Sequence, residues 1–260
     1  MKTHFFNQTK SLPATFNGYY SYWEPSVYQQ LIKNSWAVSD LNNAIDIKAW
    51  ASFLPNLPRD PYVACRWKRM SWIYFDENDH MKMLKDCPMA QGAQYNDAQT
   101  MANRLRYYPS LETTFLQRED VKSFVRAWRN LWDISANMPI LLQINGIRGK
   151  GIIDPLQGQG VHQDGSKYLS VLVINRDNVQ GAKSYIYDKK TSTSPLAEVI
   201  LNPGEILHLK DDEIFHDVSE IQPSNPDMDF ERFIIIINSC FNDEFQNQVL
   251  KDYFPDVVIS

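Results

Sequence analysis

The stretch Gly160-Val161-His162-Gln163-Asp164-Gly165 sets an imidazole and a carboxylate two residues apart. In an extended strand such residues point the same way, with about 6.6 Å between their Cα atoms, so one face offers both groups. A further histidine, His208 or His216, comes from a later strand. Two neutral imidazoles and one carboxylate on one side of a divalent iron hold it while leaving three coordination positions open for small molecules. H-x-D alone is frequent by chance. Its company is more specific: flanking glycines, a strong strand-forming run just after it, and an arginine, Arg232, that follows the later histidines.

Arg232 stands sixteen residues beyond His216, across a turn marked by Pro223, Ser224, Asn225, Pro226 and Asp227. If the two lie on antiparallel neighbours, its guanidinium reaches the metal-bearing face, where a planar fork can hold a carboxylate bidentately. The apolar run Phe233 to Ile237 directly after it predicts burial, and a buried arginine needs an anionic partner. Gln143 and Asn145, two apart on a strand, share a face and can hydrogen-bond a ligand there. Ser170 and Tyr185 are further polar candidates. A zwitterionic substrate needs a cation for its carboxylate and an acceptor for its ammonium, for which Arg66 and Asp217 are available. His4 and His80 have no partner at ligand spacing.

The elements that must position these groups change character along the chain. The first third is loop-rich and aromatic, with Phe5, Phe16, Tyr19, Tyr20, Tyr22 and Trp23 ahead of a helix-start signal at Ser39-Asp40. Leu41, Ile45, Lys48 and Ala49 follow at helical spacing. Cys65 to Phe75 predicts a strand with Arg66, Lys68 and Met70 on one face, most simply a solvated basic face. Tyr95 to Tyr108 has no clear period. Val121, Phe124, Val125, Trp128, Leu131 and Trp132 recur at threes and fours and predict an amphipathic helix over Glu119 to Ile134. From Met138 onward short apolar runs alternate with Gly, Pro, Asn and Asp. Pro139 to Ile147, Tyr168 to Ile174, Ser184 to Tyr187, Ala197 to Leu201, Glu205 to Leu209 and Phe233 to Ile237 read as strands of an antiparallel sandwich or jelly roll. Asp243 to Tyr253 predicts a closing helix.

At 260 residues, 43% of them hydrophobic, the chain can bury a full core, and no linker or repeat divides it, so one domain is expected over 1–260. Within it, 1–137 holds helices and accessory strands, 138–240 the β core and 241–260 a C-terminal helix and tail. A net charge of -5 disfavours a phosphate backbone as partner and favours a small molecule. Cys65, Cys87 and Cys240 form no metal-ligand spacing, and their odd number argues against a disulfide framework, which fits a reducing cytoplasm. No apolar run approaches the roughly 18 residues of a membrane helix. Met1 to Phe16 lacks the apolar core of a signal peptide.

Together with Val173-Ile174-Asn175-Arg176-Asp177-Asn178-Val179, Gly181, Tyr185-Ile186-Tyr187-Asp188, His216-Asp217-Val218-Ser219-Glu220-Ile221 and Phe230-Glu231-Arg232-Phe233, the His162 stretch resembles the Fe(II)/2-oxoglutarate-dependent dioxygenases. Within them it is similar to the bacterial group that hydroxylates free L-amino acids, of the isoleucine dioxygenase kind. The likeness covers Met138 to Cys240 well and the first half more loosely, through its Arg-Trp-Lys-Arg stretch. It implies a mainly β fold with flanking helices, a double-stranded β-helix of the jelly-roll, cupin-like kind. It also implies Fe(II), 2-oxoglutarate and O2 as cofactor and co-substrates, with release of succinate and CO2. His162, Asp164 and His216 are the implied metal ligands. His216 is preferred to His208 because His-Asp-Val-Ser-Glu-Ile matches the family pattern. Arg232 is the implied anchor of the distal carboxylate of 2-oxoglutarate, assisted by Gln143 and Asn145. The presence of Asp164 implies hydroxylation over halogenation, since related halogenases lack this carboxylate to make room for halide. The same chemistry on a natural-product intermediate, or a jelly-roll binding protein without catalysis, are the alternatives.

Overall fold

The computed structural model describes residues 22–96, 101–256 and 258. The chain runs α1 (Pro25–Asn34), β1 (Trp36–Asp40), α2 (Ile47–Ala51), β2 (Arg66–Phe75), β3 (Met81–Leu84), α3 (Thr113–Leu116), α4 (Glu119–Leu131), β4 (Ile140–Gly149), β5 (Ser166–Asp177), β6 (Val179–Gly181), β7 (Lys183–Tyr187), β8 (Ala197–Ile200), β9 (Glu205–Lys210), β10 (Phe215–Val218), β11 (Ile221–Pro223), β12 (Phe230–Phe241) and α5 (Glu244–Tyr253). A seven-stranded sheet has the order β1-β9-β5-β12-β4-β2-β3, all pairs antiparallel, and a three-stranded sheet the order β10-β7-β8. The expected jelly roll with flanking helices is what forms.

Residue alternation divides the large sheet into two working faces. Leu142 and Ile144 of β4, Leu172 and Ile174 of β5, and Phe233, Ile235 and Ile237 of β12 meet the stripe Val121, Phe124, Val125, Trp128 and Leu131 of α4 in one core cluster. Each such buried side chain is worth about 1.5–3 kcal/mol of transfer free energy. The opposite face sends Leu169 and Val173 of β5, Leu207 and Leu209 of β9, and Ile234 and Ile236 of β12 towards Ile186 and Val199 of the small sheet. At one end of that face Met70, Trp72, Leu141 and Phe241 pack under Val249 and Leu250 of α5. This helix starts where Asp243 accepts from the backbone N–H groups of Phe245 and Gln246.

Two local expectations give way to tertiary pairing. Ser39 and Asp40 do not open a helix; they end β1, paired with Ile206 and Glu205 of β9. The helix begins only after Asp46, whose carboxylate accepts from the Ala49 N–H at 3.0 Å. Five strands escaped the sequence pattern, β1, β3, β6, β10 and β11, each of 3 to 5 residues and too short to show a period of two. β1 and β2 extend the large sheet, β1 as its edge beside β9 and β2 beside β4. Of the N-terminal aromatic group, Trp23 is buried and donates to Ala127 O at 2.9 Å, whereas Phe5, Phe16, Tyr19 and Tyr20, like His4, lie outside the described residues. No described helix is long and apolar enough to cross a membrane, and the three cysteines are free.

One glycine is fixed by contact. A Cβ on Gly146 would lie 1.9 Å from Cε1 of Phe233, its cross-strand partner. Gly146→Ala should therefore cost about 2 kcal/mol or more by overpacking. Phe233→Leu in the same chain should recover part of that loss. Urea midpoints of the two single variants and the double variant check this, and a Gly146→Ala midpoint equal to wild type would contradict it.

Candidate functional site

His162 is not part of a strand, contrary to the simplest reading of its sequence; it sits in a loop with a single antiparallel bridge to His216 of β10. The two residues exchange both backbone hydrogen bonds, His162 N–H to His216 O at 3.0 Å and the reverse at 2.9 Å. This brings their rings to 4.3 Å between centroids. Asp164 Oδ1 lies 3.4 Å from His162 Nε2. One ligand atom from each of His162, Asp164 and His216 falls within 4.8 Å of the others.

The surroundings settle which atoms are available. Gly160 O lies 2.7 Å from His162 Nδ1. A carbonyl only accepts, so Nδ1 donates to it, and Nε2, the nitrogen that faces Asp164, is the one placed to bind a metal. Asp211, buried beneath the site, accepts the Asp164 N–H on Oδ2 at 2.7 Å. Its Oδ1 approaches His216 Nε2 at 3.0 Å, yet neither atom makes a hydrogen bond there. Gln91 Nε2 holds the Asp164 carbonyl at 3.1 Å. Gly165 continues the loop at φ +87, and a Cβ there would meet the Tyr95 ring at 2.8 Å. Burial opposes ionisation of Asp164, but the His162 hydrogen bond and the charges of His162, His216 and Lys68 outweigh it and draw its carboxyl down to about 2. An ionised carboxylate and one nitrogen from each of two imidazoles, all within 4.8 Å of one another, fit a divalent iron.

The triad opens on a cavity of about 190 Å³ between the two sheets. Its floor is the large sheet, where register arranges side chains in rows: Arg66, Ile147 and Arg232; then Lys68, Asn145 and Ile234; then Met70, Gln143 and Ile236. Arg232 does not neighbour His216 through adjacent strands, as its spacing predicted. β11 intervenes, the two belong to different sheets, and they face each other across the cavity. Arg232 is 6% exposed, its Nε has no hydrogen-bond partner, and the charge facing it is Arg176. Burial first, and Arg176 second, lower its pKa to about 10. Asn145 likewise leaves a buried Oδ1 without a partner. Among the described residues no carboxylate faces this guanidinium, and burial of an unpaired charge is costly.

The other expected residues divide. Arg66 lines the cavity but is paired with Asp60 at 2.6 Å. Asp217 borders the cavity, while its carboxylate accepts from the Val218 N–H at 2.7 Å. Tyr185 lies opposite Asp217 on β7 and alternates away from the cavity-lining Ser184. Ser170 is on the helix-facing side of β5, where it joins Trp128 Nε1 at 2.8 Å and His208 Nδ1 at 2.8 Å. His208 is fully buried there, and burial lowers its pKa to about 3. The solvated basic face expected of β2 is absent: Lys68 is 2% exposed and turned into the cavity. Lys68, Arg106, Gln91 and Asp211 line or support the site without having been singled out, although the alternation Arg66-x-Lys68 was visible.

A model of the 2OG-Fe dioxygenase family matches residues 51–237. Among solved structures, a bsmA homologue from Methylobium petroleophilum is similar with a TM-score of 0.67 and 16% identity, covering 82% of this chain and 91% of that one. IDO from Bacillus thuringiensis follows at 0.64 and 13%, covering 88% and 99%. TqaL, an Fe(II)/α-ketoglutarate-dependent dioxygenase, stands at 0.61 and 14%, covering 82% and 85%. At these identities the likeness is one of fold. No curated protein matches the sequence.

Because Arg232 is buried against no carboxylate among the described residues, Arg232→Met should leave the ligand-free protein folded and raise its stability by about 1–3 kcal/mol. A urea titration without added metal or organic acid checks this; a clear loss of stability would mean that the guanidinium is held by the protein itself.

Proposed function

The chain belongs to the 2OG-Fe dioxygenase family, and on that premise we propose that it hydroxylates an aliphatic carbon of a free L-amino acid. In this proposal His162, Asp164 and His216 hold the iron and Arg232 anchors 2-oxoglutarate. As an Fe(II)/2-oxoglutarate-dependent dioxygenase it uses Fe(II), 2-oxoglutarate and O2. The observation that carries the residue assignment is a single cavity with the donor set on one wall and an unpaired buried arginine on the other.

Bound iron supplies activation of O2 at the expense of 2-oxoglutarate, which leaves as succinate and CO2. The chain's own residues position and exclude. Gly160 O engages Nδ1 of His162 and so leaves Nε2 as the nitrogen for the metal, and the Asp164 carboxyl, drawn down to about 2, is ionised near neutral pH. The Arg232 fork orients the far carboxylate of 2-oxoglutarate, with the Gln143 and Asn145 amides available beside it. Val171, Leu207, Leu209, Ile234 and Ile236 give the cavity apolar walls that keep water from the reacting carbon. The small inner volume favours a free amino acid. An outer cleft of about 610 Å³, sharing Arg66, Arg106, Leu156, Gln159 and His162, favours the second reading, a larger natural-product intermediate.

Incubation with Fe(II), 2-oxoglutarate, ascorbate and a panel of free L-amino acids should give succinate stimulated by at least one of them, with a product heavier by one oxygen atom. Stimulation by none would reject the amino-acid reading. His162→Ala should lower affinity for Fe(II) or Mn(II) by at least tenfold in a metal titration; unchanged affinity would reject the ligand assignment.

A further inference from the structure

Among the described residues Lys68 makes no ion pair; Asp60 and Asp164 act on it only at longer range. It projects from β2 into the cavity beside Asn145, and its Nζ touches only Met89 Sδ at 3.6 Å and the Tyr108 ring at 4.2 Å from the centroid. Neither can neutralise a buried ammonium, although the ring face favours the charge somewhat. Arg106 closes the same corner: 3% exposed, it donates to Gln91 Oε1 at 2.7 Å and leaves a buried Nε without a partner. Reciprocal backbone hydrogen bonds between Met89 and Arg106 hold the corner together. Desolvation, then Arg66 and Arg106, push the Lys68 pKa well below its usual value. That is the signature of a site short of negative charge.

The charges of the cavity sort as follows. Iron, Asp164, the 2-oxoglutarate dianion and Arg232 sum to zero. Arg66 is matched by Asp60, Asp211 is engaged with His216, Arg176 stands beside Arg232, and Asp217 shares with Tyr185 the face of the small sheet turned away from His216. Lys68 and Arg106 remain, on the β2 side of the sheet, with β4 between them and Arg232 of β12. We propose that Lys68 and Arg106 form a second anion subsite, which binds the carboxylate of the substrate and so presents its aliphatic portion to the triad. This deepens the dioxygenase reading and rests on it. It makes the substrate class a small carboxylic acid, anchored by the acid group and not by the ammonium.

The test is binding by calorimetry, without oxygen, to enzyme loaded with Fe(II) and 2-oxoglutarate. The probes are free L-amino acids, their primary carboxamides, and the matching 2-hydroxy acids, which lack the ammonium. At least one acid should bind, its carboxamide at least about 30-fold more weakly, the scale of one charge-assisted hydrogen bond. Lys68→Met should weaken the acid about 30-fold and leave the carboxamide nearly unaffected, while raising the thermal midpoint because a buried unpaired charge is gone. Arg106→Gln should weaken the acid in the same way and gives a second route to the answer. If 2-hydroxy acids bind in a Lys68-dependent manner and no amino acid binds, the subsite stands and the amino-acid reading falls. If an amino acid and its carboxamide bind alike, or Lys68→Met binds the acid as wild type does, the subsite is overturned and the amino-acid reading survives. Loss of 2-oxoglutarate affinity in Lys68→Met would also overturn it, by assigning Lys68 to the co-substrate. So would failure of every acid in the panel to bind more tightly than its carboxamide.

Discussion

Two backbone hydrogen bonds, exchanged between His162 and His216 at 3.0 and 2.9 Å, are the constraint on which the site depends. They join a loop to the small sheet at one residue pair, so the two imidazoles start from adjacent Cα positions whatever their side chains do. Ring orientation then follows from the Gly160 carbonyl for His162 and from the buried Asp211 carboxylate near His216. Asp211 also takes the Asp164 N–H, so one buried carboxylate organises two of the three donors. The cost of burying Asp211 raises its own pKa by desolvation, while its contact with His216 acts in the opposite direction.

The second structural principle is the strict alternation of the long strands. Along β12, Phe233, Ile235 and Ile237 turn to the helices, while Arg232, Ile234 and Ile236 turn to the cavity. A shift of one residue in pairing would exchange the two sets, and the contact of Gly146 with Phe233 helps to prevent it. The same alternation delivers Gln143 and Asn145 from β4, and Arg66 and Lys68 from β2, to one surface. The cations therefore lie in fixed rows across the sheet, at separations set by strand spacing and not by flexible loops.

Uncompensated burial of charge sets the cavity apart from the helix-facing core. Ser170 and His208 are as deeply buried as any residue of the site, but they bond to each other, Ser170 also accepts from Trp128, and the His208 Nε2 left without a partner belongs to a ring that burial keeps neutral. Arg66 has Asp60. Arg232, Asn145 and Arg106 keep unpartnered polar atoms, and the Lys68 ammonium meets only a thioether and a ring. Such groups destabilise a protein unless a ligand completes them.

Much of this was legible in one dimension. The seven longer or more apolar strand runs, the amphipathic helix over α4 and the cap at Asp243 are local signals, written in periods of two and 3.6 and in side chains that satisfy nearby N–H groups. His162, Asp164, His216 and Arg232 were legible as residue types in a characteristic order. What the sequence could not contain is partnership at a distance. That Ser39 and Asp40 belong to a strand depends on β9, and that Arg232 meets His216 across two sheets depends on how the jelly roll folds over. That Lys68 is buried among cations, in place of lying on a solvated face, depends on the loop carrying Met89, Arg106 and Tyr108 and on the small sheet across the cavity. Chain order by itself determined which groups could do the chemistry; the tertiary structure alone decided which of them were left without a partner, because electrostatic compensation is a property of neighbours in space.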